Sequence, residues 1–286
     1  MPDKYSATWV SHSSLSDYIK CPRAYYLKNV YKDPKTGHKI QITGPSLALG
    51  LAVHDVLDTI SSLPTATRFD VPLPERFETS WKKVSGKLGG FSSPETEKMY
   101  KDRGAAMLER VAKHKGPLVN LTVKIKQDLP NYWLSEEENI ILCGKVDWLE
   151  YLPDSDTVHI IDFKTSKREE DPNSLQLPIY HLLVANCQKR HAAKASYWYL
   201  ELSDELSEKP LPDLEEAKET VLKLAKRVKL ARKLGKFDCP KGGCFACTPF
   251  EKVLAGEGEF VGEDNFHRDI YMLNNDEPSS PDSELL

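Results

Sequence analysis

The spacing of apolar positions changes along the chain, and the changes divide it. Up to about residue 120 the pattern is helical. Ser14-Leu15-Ser16-Asp17 fits a loose capping box opening a short helix. Cys21-Pro22 interrupts that helix, because the residue before a proline is pushed out of the helical region. A second helical stretch runs from Ala24 to Val30. Gly44-Pro45 then introduces an apolar helix from about Ser46 to Ile60, with proline suited to its first turn. Residues 74 to 114 read as polar helix, broken near Gly89-Gly90 and Pro94. Between residues 121 and 201 the period shortens. Leu121–Gln127, Asn139–Tyr151, Thr157–Lys164 and Ala195–Glu201 are β-branched, aromatic and alternating, as strands are. Leu175–Asn186 and Leu214–Leu234 return to helical spacing. Helices around a compact group of strands make an α/β or α+β domain with a mostly antiparallel hairpin at its centre.

That hairpin carries the strongest chemical signal. Pro153-Asp154-Ser155-Asp156 is turn-rich, and a two-residue tip at Asp154-Ser155 sets Asp147 directly opposite Asp162. Facing carboxylates lie about 5 Å apart and repel. A hard divalent cation that binds carboxylate oxygens removes the repulsion. Lys164 emerges on the same face as Asp162, two residues away, where an ammonium can orient water and offset charge on a phosphate. A solvated face with a surface ion pair is the plainer alternative, but the apolar run Val158, Ile160, Ile161 favours a buried strand. His54 lies in the apolar helix with Gly50 one turn before it, and a helix-interior glycine suggests close approach by a backbone or ligand. Gln176 and Tyr180, four apart, share one face of the helix after the hairpin and could reach a nucleotide or Lys164.

Composition changes this picture little. The 286 residues are 29% charged and 40% apolar with a formal net charge of −4, so no global basic field is present. The basic charge is local: Lys218, Lys223, Lys226, Arg227, Lys229, Arg232, Lys233 and Lys236 decorate one helix whose buried stripe is Val221, Leu224, Ala225, Val228 and Ala231. Its polar face is either a phosphate track or a solvated surface. No signal peptide or membrane-length apolar run is seen, so a cytoplasmic protein is expected, with no membrane partner. Residues 274–286 are acidic and proline-bearing, and disorder is expected there.

Six cysteines remain to be explained, three of them within Cys239-Pro-Lys-Gly-Gly-Cys244-Phe-Ala-Cys247. In a reducing compartment clustered thiols more often bind metal than pair as disulfides. Structural sites usually need four ligands, and Cys21, Cys143, Cys187 and His267 are candidates for the fourth. Cys21 is attractive because the helix break would expose it. Cys143 and Cys187 read better as small buried residues. Zn²⁺ and an iron–sulfur cluster are both open.

In order, Tyr18-Ile-Lys-Cys21-Pro22, Gly50-x3-His54, Gly144-Lys-Val-Asp147, Asp162-Phe-Lys164-Thr165, Gln176-x3-Tyr180 and the terminal cysteines resemble the RecB-like branch of the PD-(D/E)XK nucleases. That branch includes the nuclease domains of RecB and AddB and the CRISPR-associated RecB-like exonucleases. The resemblance spans about Ser14 to Phe250 and implies a restriction-endonuclease-like mixed central β-sheet flanked by helices. It implies Mg²⁺ or Mn²⁺ held by His54, Asp147, Asp162 and the Phe163 carbonyl, Lys164 as catalytic lysine, and Gln176 and Tyr180 near the substrate. It further implies a [4Fe–4S] cluster on Cys21, Cys239, Cys244 and Cys247, joining N- and C-terminal segments; Zn²⁺ is the alternative. The expected organisation is one RecB-like nuclease domain over 1–273: a helical region over 1–120, a sheet core over 121–201, the basic helix and cysteine loop over 202–250 and an extension over 251–273. The expected activity is metal-dependent DNA hydrolysis, acting as an exonuclease on single-stranded DNA in repair, recombination or a CRISPR-associated setting. No G-x4-G-K-[ST] occurs, so a helicase motor would be a separate protein. The competing expectation is a non-catalytic DNA-binding or assembly subunit with a structural Fe–S or Zn site.

Overall fold

A computed structural model describes residues 3–273; the expected acidic tail at 274–286 lies outside them. The strands are β1 (Thr8–Val10), β2 (Lys39–Ile42), β3 (Asn131–Ser135), β4 (Ile140–Cys143), β5 (Trp148–Leu152), β6 (Thr157–Lys164), β7 (Ala192–Tyr199), β8 (Ser207–Lys209), β9 (Gly258–Glu263) and β10 (Arg268–Leu273). The helices are α1 (His12–Lys20), α2 (Pro22–Tyr25), α3 (Pro45–Ser61), α4 (Leu73–Trp81), α5 (Pro94–Lys113), α6 (Gln176–Cys187), α7 (Leu214–Leu234) and α8 (Thr248–Leu254). The fold is mixed α/β and restriction-endonuclease-like, with helices on both sides of mixed sheets.

The largest sheet runs β5-β6-β7-β8: β5 is antiparallel to β6, β6 parallel to β7, and β7 antiparallel to β8. Strand alternation distributes β6 between two cores. Val158 and Ile160 pack towards α6 and α7, with Ala195, Leu183 and Val221. Ile161 and Phe163 pack towards α3, α4 and α5, with Val53, Phe77 and Trp198. The end of β6, where Asp162 and Lys164 lie, is therefore held from both faces. Hydrogen bonding divides the remaining strands into two three-stranded sheets, β1-β4-β3 and β2-β10-β9, rather than extending one central sheet.

Several expectations change in detail. The helix α1 is capped by Ser11, with Ser14 completing the box, three residues earlier than the pattern indicated. The stretch Asn139–Tyr151 is not one strand, because Gly144–Asp147 separates β4 from β5. Leu121–Gln127 forms no strand; one bridge, Thr122 to Glu150, marks it. The buried Arg68 takes over there, donating to the Leu118 and Asn120 carbonyls at 2.7 Å each. The strands β9 and β10 fall inside the expected extension. By contrast, α7 spans Leu214–Leu234 as expected, because Asp213 caps one end and Gly235, at φ 64°, ends the other.

The helix contact that carries the α3–α5 layer rests on Gly104 of α5. A Cβ there would lie 2.4 Å from Phe77 Cζ and 2.9 Å from Leu49 Cδ1, both buried. Alanine is about 1 kcal/mol the better helix former, yet overpacking costs about 1–3 kcal/mol. Gly104→Ala is therefore expected to lower Tm in thermal unfolding. An unchanged or higher Tm would show that Phe77 and Leu49 yield freely.

Candidate active site at the end of the central hairpin

The β5–β6 register runs from Leu152 opposite Thr157 to Trp148 opposite Ile161, and Asp147 and Asp162 are the next residues beyond that last pair. The loop differs from expectation: four residues, Pro153 to Asp156, make the turn, with Asp156 at φ 49°, and the longer loop is centred on the same point. Asp147 lies one residue before β5, as the last residue of the break after β4. Its Oδ2 accepts a hydrogen bond from the Phe163 backbone N–H at 3.1 Å and lies 3.4 Å from His54 Nδ1. The half-buried His54 of α3 thus faces the acid pair from the opposite layer, and its ring meets Phe163 edge-on.

Asp162 is 1% exposed. Its Oδ1 accepts from Gln176 Nε2 at 2.5 Å. Its Oδ2 forms an ion pair with Lys164 Nζ at 3.0 Å and accepts no further hydrogen bond among the described residues. Lys164 is gripped by Glu170 at 2.8 Å and donates to Gln176 Oε1. Gln176 in turn donates to Tyr180 Oη at 3.2 Å. The first residue of α6 therefore bridges the acid, the lysine and the tyrosine. Gly50 approaches a side chain rather than a backbone: a Cβ there would meet Thr165 Oγ1 at 3.4 Å.

Burial, then the charge of Asp147, pushes the Asp162 pKa up to about 7. Burial likewise pushes Asp147 up to about 6, against the opposing pull of the Phe163 N–H and Lys164. Burial lowers the pKa of His54, while Asp162 and the Phe163 carbonyl act to raise it. Burial also works against the Lys164 ammonium, yet Asp162 and Glu170 outweigh it and hold its pKa above the ordinary value. A neutral imidazole, two carboxylates and the Phe163 carbonyl thus neighbour one another, with Asp162 Oδ2 partnered only by the Lys164 ammonium. These donor types suit a hard divalent cation, which would give Asp162 Oδ2 a further partner.

Space for a substrate adjoins the acids. A hollow of about 330 Å³ lies over Asp162, Lys164 and Glu170. It meets a groove of about 760 Å³ at His54, Asp147 and Phe163, and the far wall of that groove includes Lys83, Phe266 and Arg268. Sequence reasoning missed four of these contributors, Glu170, Lys83, Phe266 and Arg268. Glu170 sits in the charged run Lys167–Asp171, which has no periodicity to single it out. Phe266 and Arg268 come from the β9–β10 hairpin, far along the chain.

The basic helix is less available than its sequence indicates, since Lys226 and Lys229 pair with Glu138 at 2.9 and 3.2 Å. The sulfurs of Cys21, Cys239, Cys244 and Cys247 converge within 4.8 Å of one another. Cys21 is 1% exposed, not displayed by the helix break as expected, because it packs with Leu27, Phe250 and Val253. Cys143 is buried in β4 and Cys187 half-buried at the end of α6. His267 instead joins His38 and Glu263. Among the described residues no helix is long and apolar enough to cross a membrane.

No curated protein matches the chain. The family model for the PD-(D/E)XK nuclease superfamily matches residues 9–249, a span that holds the acid pair, Lys164, Gln176 and all four convergent cysteines, and this chain belongs to that superfamily.

Proposed function

We propose that the protein is a DNA exonuclease of the RecB-like branch that hydrolyses single-stranded DNA with Mg²⁺ or Mn²⁺. The observation that carries this reading is the acid pair Asp147–Asp162, with the Lys164 ammonium ion-paired to Asp162 at 3.0 Å. His54, Asp147, Asp162 and the Phe163 carbonyl would hold the ion, which polarises the phosphate and makes a bound water more acidic. Lys164 positions the attacking water and balances charge developing on the phosphate. Gln176 orients both Lys164 and Asp162, and Tyr180 fixes Gln176 from below. Glu170 keeps the ammonium charged and in place.

The preference for a single strand is supported by the groove. Phe266 is 79% exposed and stands with the Arg268 guanidinium over its ring, 5.5 Å from the centroid. An exposed aromatic ring suits an unstacked base, and Lys83 and Arg268 suit the backbone phosphates. We further propose a single nuclease domain over 1–273 that works in the cytoplasm in DNA repair, recombination or CRISPR-associated processing, with any helicase as a separate protein.

The test is degradation of end-labelled single-stranded, duplex and circular single-stranded DNA with Mn²⁺, Mg²⁺ or chelator. Linear single strands are expected to shorten from an end, only with metal. Equal cutting of circles would remove the exonuclease assignment, and cutting in chelator would remove the metal. Binding without cleavage under every condition would favour the non-catalytic subunit.

A further inference from the structure

We infer that Cys21, Cys239, Cys244 and Cys247 hold one Zn²⁺ ion in a tetrahedral thiolate site, and not an iron–sulfur cluster. The size of the cage separates the two. All four sulfurs lie within 4.8 Å of one another, and Cys244 and Cys247 are 3.6 Å apart. A Zn²⁺–thiolate bond of about 2.3 Å sets the corners of a tetrahedron about 3.8 Å apart. The observed separations surround that spacing. In a four-iron cluster each thiolate binds its own iron, so the core of irons and sulfides keeps the four thiolates apart from one another. In a two-iron cluster the thiolates form two pairs separated by the core. Neither cluster lets every sulfur approach every other this closely, and the [4Fe–4S] group implied by the sequence resemblance does not fit the sulfurs as placed.

The surroundings make the small cage a built feature. Gly242 and Gly243, at φ 67° and 149°, turn the chain between Cys239 and Cys244, conformations that residues with a Cβ rarely adopt. The Cys244 N–H donates to Cys247 Sγ at 3.3 Å, stabilising a thiolate. Arg23, two residues after Cys21, forms a forked pair with Glu251 of α8 at 2.5 and 3.2 Å, joining the two ligand-bearing segments independently of any metal. Leu27, Phe250 and Val253 cover one side with apolar surface. Moving the sulfurs outward around a cluster would disturb both the turn and this packing. The ion would be structural, fastening the start of the described chain to a loop more than two hundred residues later.

The zinc site does not depend on the nuclease reading, and its test reads metal rather than activity. The full chain is purified without oxygen from cells supplied with both iron and zinc, then assayed for metals, acid-labile sulfide and visible absorption. One zinc per chain, retained in Asp162→Asn, with no sulfide and no colour is the expected result. Exchange for Co²⁺ should yield tetrahedral d–d bands and sulfur-to-cobalt charge transfer, signals an ion on the carboxylates does not produce. Cys239→Ser and Cys244→Ser should each lose stoichiometric zinc, while Cys187→Ser keeps it. Should a serine variant fail to fold, the wild-type cobalt spectrum decides alone. Iron with matching labile sulfide would overturn the inference, as would a folded wild type that takes up neither Zn²⁺ nor Co²⁺ on its thiols.

Discussion

Lys164→Ala is expected to bind single-stranded DNA much as the wild type does and to degrade it about a hundredfold or more slowly in Mn²⁺. The magnitude follows from removing one preorganised electrostatic group from a buried reaction site, which commonly costs a factor of about 10²–10³. The ammonium is held on one side by Glu170 at 2.8 Å and on the other by Asp162 at 3.0 Å, so it cannot swing away to serve only as a surface charge. Alanine leaves His54, Asp147 and Asp162 in place, and metal binding should persist. End-labelled DNA with Mn²⁺ measures cleavage, and fluorescence anisotropy in chelator measures binding. Equal degradation by both proteins would remove Lys164 from the chemistry. Lost binding together with lost cleavage would recast it as a substrate clamp.

The second large effect is a dependence of stability on pH that added metal opposes. Burial raises Asp147 to about 6, and burial with the charge of Asp147 raises Asp162 to about 7, from an ordinary 3.8. A carboxyl with a raised folded pKa stabilises the fold below its unfolded pKa, and that contribution disappears as pH climbs through the folded value. Metal-free protein is therefore expected to lose stability between about pH 4 and pH 7, by roughly a few kcal/mol for the pair. Mn²⁺ binds the deprotonated pair, so the rise in Tm on adding it should be larger at about pH 8 than at about pH 5. Asp162→Asn removes the more strongly shifted acid. Its metal-free Tm should vary less across the window, and its response to Mn²⁺ should vanish. Thermal melts of both proteins, with and without Mn²⁺, make the comparison. Parallel pH curves for the two would show that this pair does not carry the linkage.

Both effects originate in one short stretch of chain, and that is why so much of the site was legible in the sequence. A hairpin makes its contacts between residues near in sequence. The turn residues between two apolar strands therefore set Asp147 against Asp162, and strand alternation placed Lys164 beside Asp162. The loop proved to have four residues instead of two without disturbing that pairing, because both loops share the same centre. Helical spacing likewise aligned Gln176 with Tyr180 and marked α3 and α7, whose caps and apolar stripes are local properties.

What the chain alone left open depends on residues that meet only after folding. Period and turn chemistry by themselves marked the main helices and the central hairpin with its acid–acid–lysine face, and cysteine spacing marked a thiol cluster. Tertiary structure decided that α3 brings His54 to 3.4 Å from Asp147, that Glu170 from an unpatterned loop holds Lys164, and that the β9–β10 hairpin walls the groove with Phe266. It decided also which cysteine completes the cluster and how tightly the sulfurs gather. The physical reason is the same in each case. Sequence spacing governs side chains that share one strand or helix, whereas approach between distant segments is set by how two apolar cores pack against the faces of the central sheet.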